Sequence, residues 1–434
     1  MPGGIPYIVG NEAAERFCYY GLRAILVIYM TKFLLGASGK VEPMTDEEAK
    51  VSYHLFVSAA YFFPLLGAIV SDALFGKYYT IISLSLVYCA GTAVLAMFGT
   101  KLGMNIGLLL IAIGSGGIKP CVSAHVGDQF GPANKHLLQR AFSWFYFSIN
   151  FGSTFSIFLT PLLLNKWGPK VAFGVPSVLM LLATVVFWLG RHKFIHVPPA
   201  GKVFVREALS TDGLKLIARL STLFIFVSIF WSLWDQSSSA WVLQAEHMDL
   251  NFFGYKLQPS QVQTANPVMI MLFIPIFSYY IYPAIDRVFP LTDLRKIGIG
   301  LWLTLASFLI PAWLETRIAA GAVPSVHWHM LAFALLTAGE VCVSITALEL
   351  AYTQAPKSMK SLIMSLYLLA VSAGNAFTAL VNKVIQDDKG VSRISGAQYY
   401  LFFAALMLVT AIIFAFVASA YKPQAIMQST EAES

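Results

Sequence analysis

Twelve apolar windows constrain this chain more than any other feature. Each is about 20 residues long, the length a helix needs to cross the hydrocarbon core of a bilayer. They fall near 6–35, 51–75, 79–99, 105–126, 141–161, 171–190, 214–242, 264–284, 296–316, 327–352, 361–383 and 398–420. Inside lipid no water satisfies a free backbone N–H or C=O, so spans of this length must be helical. The expected fold class is an all-α integral membrane protein, with the lipid bilayer as its first partner. Composition agrees: 57% of residues are in the set AVILMFWYC and 12% are charged, about half the charged share of soluble domains. The net charge of +7 does not point to nucleic acid, because Lys and Arg lie mostly in short connectors between spans. Cys18, Cys89, Cys121 and Cys342 sit singly in apolar stretches without metal-ligand spacing. They read as small packing residues, with neither disulfides nor a metal expected. The first span is too long for a signal-peptide core, so no cleavable signal is expected.

The longest polar stretch, about 191–215, divides the spans six and six, as in a two-bundle transporter with a central linker. The expected organisation is a six-helix bundle over 1–192, a cytoplasmic linker over 193–213, a second six-helix bundle over 214–422 and a cytoplasmic tail over 423–434. Lys and Arg are more frequent in the connectors on the N-terminal side, which predicts both termini in the cytoplasm.

The first span carries too much charge for a plain anchor. Glu12, Glu15, Arg16, Tyr19, Tyr20 and Arg23 recur at three- and four-residue intervals, and so fall in one helical stripe of roughly 140°. An ionisable group at bilayer depth costs on the order of 3 kcal/mol, so the stripe must face a wet cavity or other polar helices. A structural ion-pair lattice is the plainer alternative, but a lattice has little need of two tyrosines beside it. In the fourth span, Gly114-Ser-Gly-Gly-Ile-Lys119-Pro120 holds a lone cation and a proline expected to kink the helix. Its natural partner is a first-span glutamate. A proton entering such a pair releases it, which is a proton switch. Asp235 and Glu340 are isolated acids of the seventh and tenth spans, while Glu349 reads as structural. His54 in the second span is as often a hydrogen-bonded packing residue as a titrating one. Depth favours it, since Arg23, His54 and Asp235 all fall in the outer half of the membrane. An Arg–Asp pair across the bundles, beside a group that titrates near neutrality, would make an outer gate.

Glu12-Ala-Ala-Glu15-Arg16-Phe17-Cys-Tyr19-Tyr20-Gly21-Leu-Arg23 resembles the ExxERFxYYGxR signature of the proton-dependent oligopeptide transporters, a branch of the major facilitator superfamily. Gly67 to Lys77 resembles the superfamily's loop between helices two and three, and Gly116 to Phe130 the family's fourth helix. Phe145-Tyr146-Phe-Ser-Ile-Asn150-Phe-Gly152-Ser153 resembles the fifth-helix signature, and Gln354 to Ser361 the loop after helix ten. The resemblance spans nearly the whole chain. It implies twelve transmembrane helices in the two bundles of the major facilitator fold. It also implies proton-coupled import of di- and tripeptides, possible traffic in peptide-like drugs, no cofactor beyond the coupling proton, a monomer, and a multi-pass place in the bacterial inner membrane.

Residue by residue, the resemblance assigns Arg23 and Lys119 to the peptide carboxylate, with Tyr19, Tyr20 and Tyr61 lining the pocket and Asn150 bonding the peptide backbone. Asn266 and Glu340 take the amino group, with Ser344 nearby, and Trp231 shapes a side-chain pocket. Glu12, Glu15 and Arg16 couple protons to transport through Lys119, His54 takes part as in the animal members, and Arg23 with Asp235 gates the outer side. Independently of any family, a zwitterion needs a cation and an anion facing each other across one cavity; Arg23 and Lys119 in one bundle and Glu340 in the other meet that need. Recognising the ends and backbone leaves side chains free to vary. The chain departs from family patterns at several points. Its linker is too short for the extra helical pair of many bacterial members. The connector from Thr316 to Val326 is too short for the large outer domain of the animal members. Tyr367 stands where the family usually has Trp. Transport of another small anion such as nitrate is the runner-up, though it would not need Glu340. A peptide receptor with little flux is another, separable by counterflow. With no catalytic cluster or phosphate loop, an enzyme is not expected.

Overall fold

The computed structural model describes residues 1–36, 38–131, 134–199, 210–354, 360–387, 392–394 and 396–421. Most of the linker (200–209), part of the loop after the tenth span (355–359) and the tail over 423–434 lie outside the described residues. Among the described residues, ten helical stretches are long and apolar enough to cross a membrane. One of them, Arg140–Lys193, is two spans: Gly168 adopts φ 76, a left-handed turn that glycine tolerates, and Pro169 follows it. The first helix is also long enough, but carries Glu12, Glu15, Arg16, Arg23 and Lys32. Adding that helix and the second half of the split one gives the twelve spans expected.

The helices are α1 Ile5–Lys32, α2 Asp46–Phe75, α3 Lys77–Met97 and α4 Lys101–Asp128, then α5 138–167 and α6 169–189. After the linker come α7 Thr211–Ala245, α8 Pro259–Asp286, α9 Asp293–Ala319, α10 His327–Leu350, α11 Lys360–Val384 and α12 Ala397–Ala420. Polar caps start several of them. Thr45 and Glu48 form a capping box on α2, and Thr100, Ser210 and Thr292 cap α4, α7 and α9; each such cap contributes about 1 kcal/mol. Buried apolar residues form one large cluster within 5–194, joined by Val242 and Leu243, another within 220–414, and a small third one of Ile270, Phe277, Ala338, Val341 and Cys342.

In a bilayer, helices associate through close van der Waals packing, which small residues permit. A Cβ on Gly67 would lie 2.5 Å from the Gly117 Cα, so α2 and α4 touch backbone to backbone. A Cβ on Gly374 would lie 2.2 Å from the Ser228 carbonyl oxygen, which fixes α11 against α7. Pro120 does not interrupt α4, which is continuous through it. The Gly116 carbonyl that Pro120 cannot bond lies against Gly67.

The membrane side that holds Ile5 is the near face; the opposite side is the far face. At the far end α7 breaks into a 3-10 turn, Asp235–Ser238, before resuming over Ala240–Ala245. α10 widens into a π turn over Val341–Ile345, directly after Glu340. Single π turns inside α-helices are frequent at functional sites.

Candidate functional site

Between the bundles lies a cavity of about 230 Å³, just below the roughly 300–1,000 Å³ of pockets that hold drug-sized ligands. Tyr20, Arg23, Tyr61, Asn150 and Ser153 line it from one bundle, and Trp231, Trp234, Asn266, Phe333 and Glu340 from the other. Seven of the expected substrate residues therefore meet here: Tyr20, Arg23, Tyr61, Asn150, Trp231, Asn266 and Glu340.

Glu340 is the acid of this cavity. Its Oε2 accepts from Asn266 Nδ2 at 2.6 Å and Trp234 Nε1 at 3.0 Å. Asn266 Nδ2 also donates to Thr337 Oγ1 at 3.1 Å, which fixes the amide. Both donors to Glu340 are neutral, and among the described residues no cation pairs with it. A carboxylate so held is aligned and short of a counter-ion. Trp231 and Trp234 stand edge to face beside it, with ring centroids 5.1 Å apart, a favourable aromatic geometry.

Arg23 closes the far end of the cavity. Its Nη2 bonds Asp235 Oδ1 across the bundles, and its Nε and Nη2 donate to the Tyr53 hydroxyl at 3.0 and 2.7 Å. Arg23 and Asp235 are 3% and 1% exposed, so each depends on the other. Behind the pair, Asn375 Nδ2 donates to Asp235 Oδ2 at 2.5 Å. That leaves Asn375 Oδ1 facing His54 Nδ1 at 2.7 Å. An amide oxygen only accepts, so His54 Nδ1 carries a hydrogen. Its Nε2 meets Ser239 Oγ at 2.9 Å. His54 therefore joins the Arg23–Asp235 pair through Asn375. Sequence reasoning missed Tyr53, Asn375, Ser239 and Trp234; an amide at mid-depth in an apolar span was the signal for Asn375, and the serine run 237–239 that for Ser239.

Four placements differ from expectation. Lys119 makes no ion pair or hydrogen bond among the described residues. Its Nζ sits 3.6 Å from the Tyr19 ring centroid and 4.3 Å from that of Tyr61. Two ring faces, not a glutamate, hold it, because cation–π attraction is stronger where water is excluded. The first-helix acids pair instead with Arg16, whose Nε lies 2.7 Å from Glu12 Oε1 and 2.9 Å from Glu15 Oε2. Glu12, Glu15 and Arg16 are buried within the N-terminal bundle and do not line the cavity. Tyr19 lies under Lys119, also away from the cavity. Ser344 is bonded to Tyr367, Oγ to hydroxyl oxygen 2.8 Å, and does not reach the cavity either; the tyrosine in the family's tryptophan position occupies it. The four cysteines are free and buried.

Fold and site together define a polytopic two-bundle membrane protein of the major facilitator type, with a charged cavity on the axis between its halves. The sequence matches the profile of the POT family over residues 78–211 and 205–402. The chain belongs to that family. It is 38% identical over 369 residues to "Peptide transporter family 1" of Drosophila melanogaster, a match that covers 74% of this chain and 48% of the relative. It is 35% identical over 401 residues to "Solute carrier family 15 member 2" of Homo sapiens, covering 80% and 54%. The chain thus spans about half the length of the curated relatives it matches. Among solved structures it is similar to the POT family transporter PepTSo, at 39% identity and a TM-score of 0.89, covering 97% of this chain and 98% of that one.

Proposed function

We propose that the protein is a proton-coupled symporter that imports di- and tripeptides by alternating access. One observation carries this reading: the cavity has an acid without a counter-ion, Glu340, on the wall opposite Arg23. The amino group of a peptide supplies the missing cation. Its carboxylate is taken by Arg23 and by Lys119, which needs only to leave its two tyrosine faces. Asn150 and Asn266 hold the peptide backbone and amino end, and Trp231 borders a side-chain pocket. The relatives' names and the family membership support transport over the receptor and enzyme alternatives, and the unpaired Glu340 argues against a plain anion carrier.

In the same reading Glu12, Glu15, Arg16, Lys119 and His54 form the proton-coupling set, and Arg23 with Asp235 the gate. The near face is cytoplasmic and the far face external, so that the gate closes the outside. The two functional halves divide at the linker, 193–213, and both termini are cytoplasmic. The protein resides in a bacterial inner membrane, works as a monomer, needs no cofactor beyond the proton, and accepts peptide-like drugs that keep both charged ends.

The test is counterflow of a labelled dipeptide in liposomes. N-acetylation of the substrate leaves Glu340 without its cation, and is expected to weaken binding by about 1–3 kcal/mol, the cost of an unpaired buried polar group. Glu340→Gln should reduce the difference between free and acetylated peptide. Equal affinity of the wild type for both would overturn the assignment of Glu340 to the amino end.

A further inference from the structure

Trp234 lines the cavity beside Glu340 and is 8% exposed, yet the function proposed above gives it no part. Its indole Nε1 donates to Glu340 Oε2 at 3.0 Å, and Asn266 Nδ2 donates to the same oxygen at 2.6 Å. A carboxylate oxygen accepts through two lone pairs, so Oε2 is full. Among the described residues nothing bonds Oε1. The amide divides in the same way. Both hydrogens of Asn266 Nδ2 are used, one on Glu340 Oε2 and one on Thr337 Oγ1 at 3.1 Å, and Oδ1 has no partner among the described residues. Neither Glu340 Oε1 nor Asn266 Oδ1 is one of the polar atoms sealed from solvent without a partner. Two acceptors, both on residues that line the cavity, are thus left for a ligand.

Three helices converge on this carboxylate. Trp234 is the last residue of α7 before its 3-10 turn, Asn266 lies in α8, and Thr337 and Glu340 lie one turn apart on α10. The Trp234 ring is itself held edge to face by Trp231, one turn earlier on α7, with centroids 5.1 Å apart. An indole N–H donates and never accepts, so Trp234 cannot take a cation through its nitrogen. What that nitrogen can do is hold the acid. The terminal torsion of a glutamate is broad, with no sharp well to fix the plane of its two oxygens. With Asn266 as the only donor, a lone pair on Oε2 would stay open and the carboxylate could turn about its last bond.

We propose that Trp234 is a positioning residue for the amino end of the peptide: by filling Glu340 Oε2 it presents Oε1 to the cavity together with Asn266 Oδ1, so that the site demands two N–H donors from one cation. This rests on the peptide reading above. A primary ammonium has three N–H groups, and a secondary one, such as N-terminal proline, has two; either can meet both acceptors. A tertiary ammonium has one and leaves an acceptor unpaired, although its charge is the same. The amino end is therefore chosen by hydrogen count as well as by charge. Peptides that begin with proline are admitted, and amines alkylated twice are disfavoured.

The test measures the affinity of wild type and Trp234→Phe for one dipeptide in four forms: free, N-ethyl, N,N-dimethyl and N-acetyl. The N-ethyl and N,N-dimethyl forms are isomers of equal charge that differ by one N–H. On wild type the N-ethyl form is expected to bind about tenfold tighter than its isomer, the effect of one hydrogen bond to a charged group. Equal affinity of the two isomers overturns the demand for two donors, and needs no variant. Trp234→Phe keeps a ring and removes the donor. It is expected to weaken the free dipeptide about tenfold and to leave the N-acetyl form, which has no cation for Glu340, within about twofold of its wild-type value. Loss of affinity for both forms alike marks a structural role only, and loss for neither marks no role; either result overturns the positioning. If wild type itself binds the free and N-acetyl forms equally, the assignment of Glu340 to the amino end fails instead.

Discussion

At the scale of single residues, Asn375 is the member of the far-end network that no charge count reveals. It is neutral, yet it faces Asp235 with its amide nitrogen and His54 with its oxygen. Asn375→Leu keeps the branched shape and removes both bonds; it is expected to uncouple His54 from the Arg23–Asp235 pair, so that the pH profile of uptake in this variant no longer responds to His54→Gln. Additive shifts in the double variant would overturn that link. The ion pair beside it is more costly to break. Asp235→Ala leaves Arg23 buried and unpaired, which by the experience of buried pairs costs about 3–5 kcal/mol, and thermal unfolding in detergent should show it. The charged members of both sites were legible in the sequence, because an ionised group in an apolar span has few explanations. Their partners were less so. Lys119 was expected to pair with a glutamate, and the attraction of two ring faces, which sequence spacing does not encode, held it instead.

At the scale of elements, the spans were legible and their interruptions were not. Hydropathy placed each helix to within a few residues, since lipid leaves the backbone no alternative to helix. The π turn after Glu340 and the break of α7 at Asp235 depend on tertiary packing, and nothing in the local pattern marks them. The close helix contacts stand between these cases: Gly114, Gly116 and Gly117 are visible as a run, whereas Gly374 is the single glycine of its span. Its neighbour is backbone, which cannot move aside as a side chain can. Gly374→Ala is therefore expected to push α11 off α7 and to destabilise the protein by about 1–3 kcal/mol, the range of overpacked sites. A melting temperature equal to wild type would contradict this.

At the scale of the whole molecule, the hydrogen bonds and ion pairs that join the bundles among the described residues gather toward the far face. Besides the Arg23 and His54 bonds, Ser372 Oγ donates to the Ser58 carbonyl at 2.8 Å, Gln263 Nε2 to the Ala24 carbonyl at 3.2 Å, and Gln261 Nε2 to the Phe158 carbonyl at 2.9 Å. Lys32 pairs with Glu246 at the rim. The rim pair is partly exposed, so Glu246→Gln should change stability by no more than about 1 kcal/mol. Ser58 Oγ and Ser372 Oγ are 3.1 Å apart. Oxidising the double variant Ser58→Cys, Ser372→Cys is expected to lock the far face shut, abolish uptake and leave near-face access intact, with recovery on reduction. Uptake that survives cross-linking would show that the far face does not have to part.

Among the described residues no cation pairs with Glu340 and no anion with Lys119, and under the symport reading proposed above this has a consequence for membrane voltage. A zwitterion that satisfies both brings no net charge of its own, and the two side chains cancel once it has left. Whatever charge crosses the membrane in a cycle is then that of the protons alone. A potential of 100 mV adds about 2.3 kcal/mol for each elementary charge moved, so accumulation of a neutral peptide should follow the electrical gradient as well as the chemical one. A peptide with an ionised side chain would add its own charge to that sum, and the same membrane potential would favour a cationic peptide over an anionic one without any difference in the binding site.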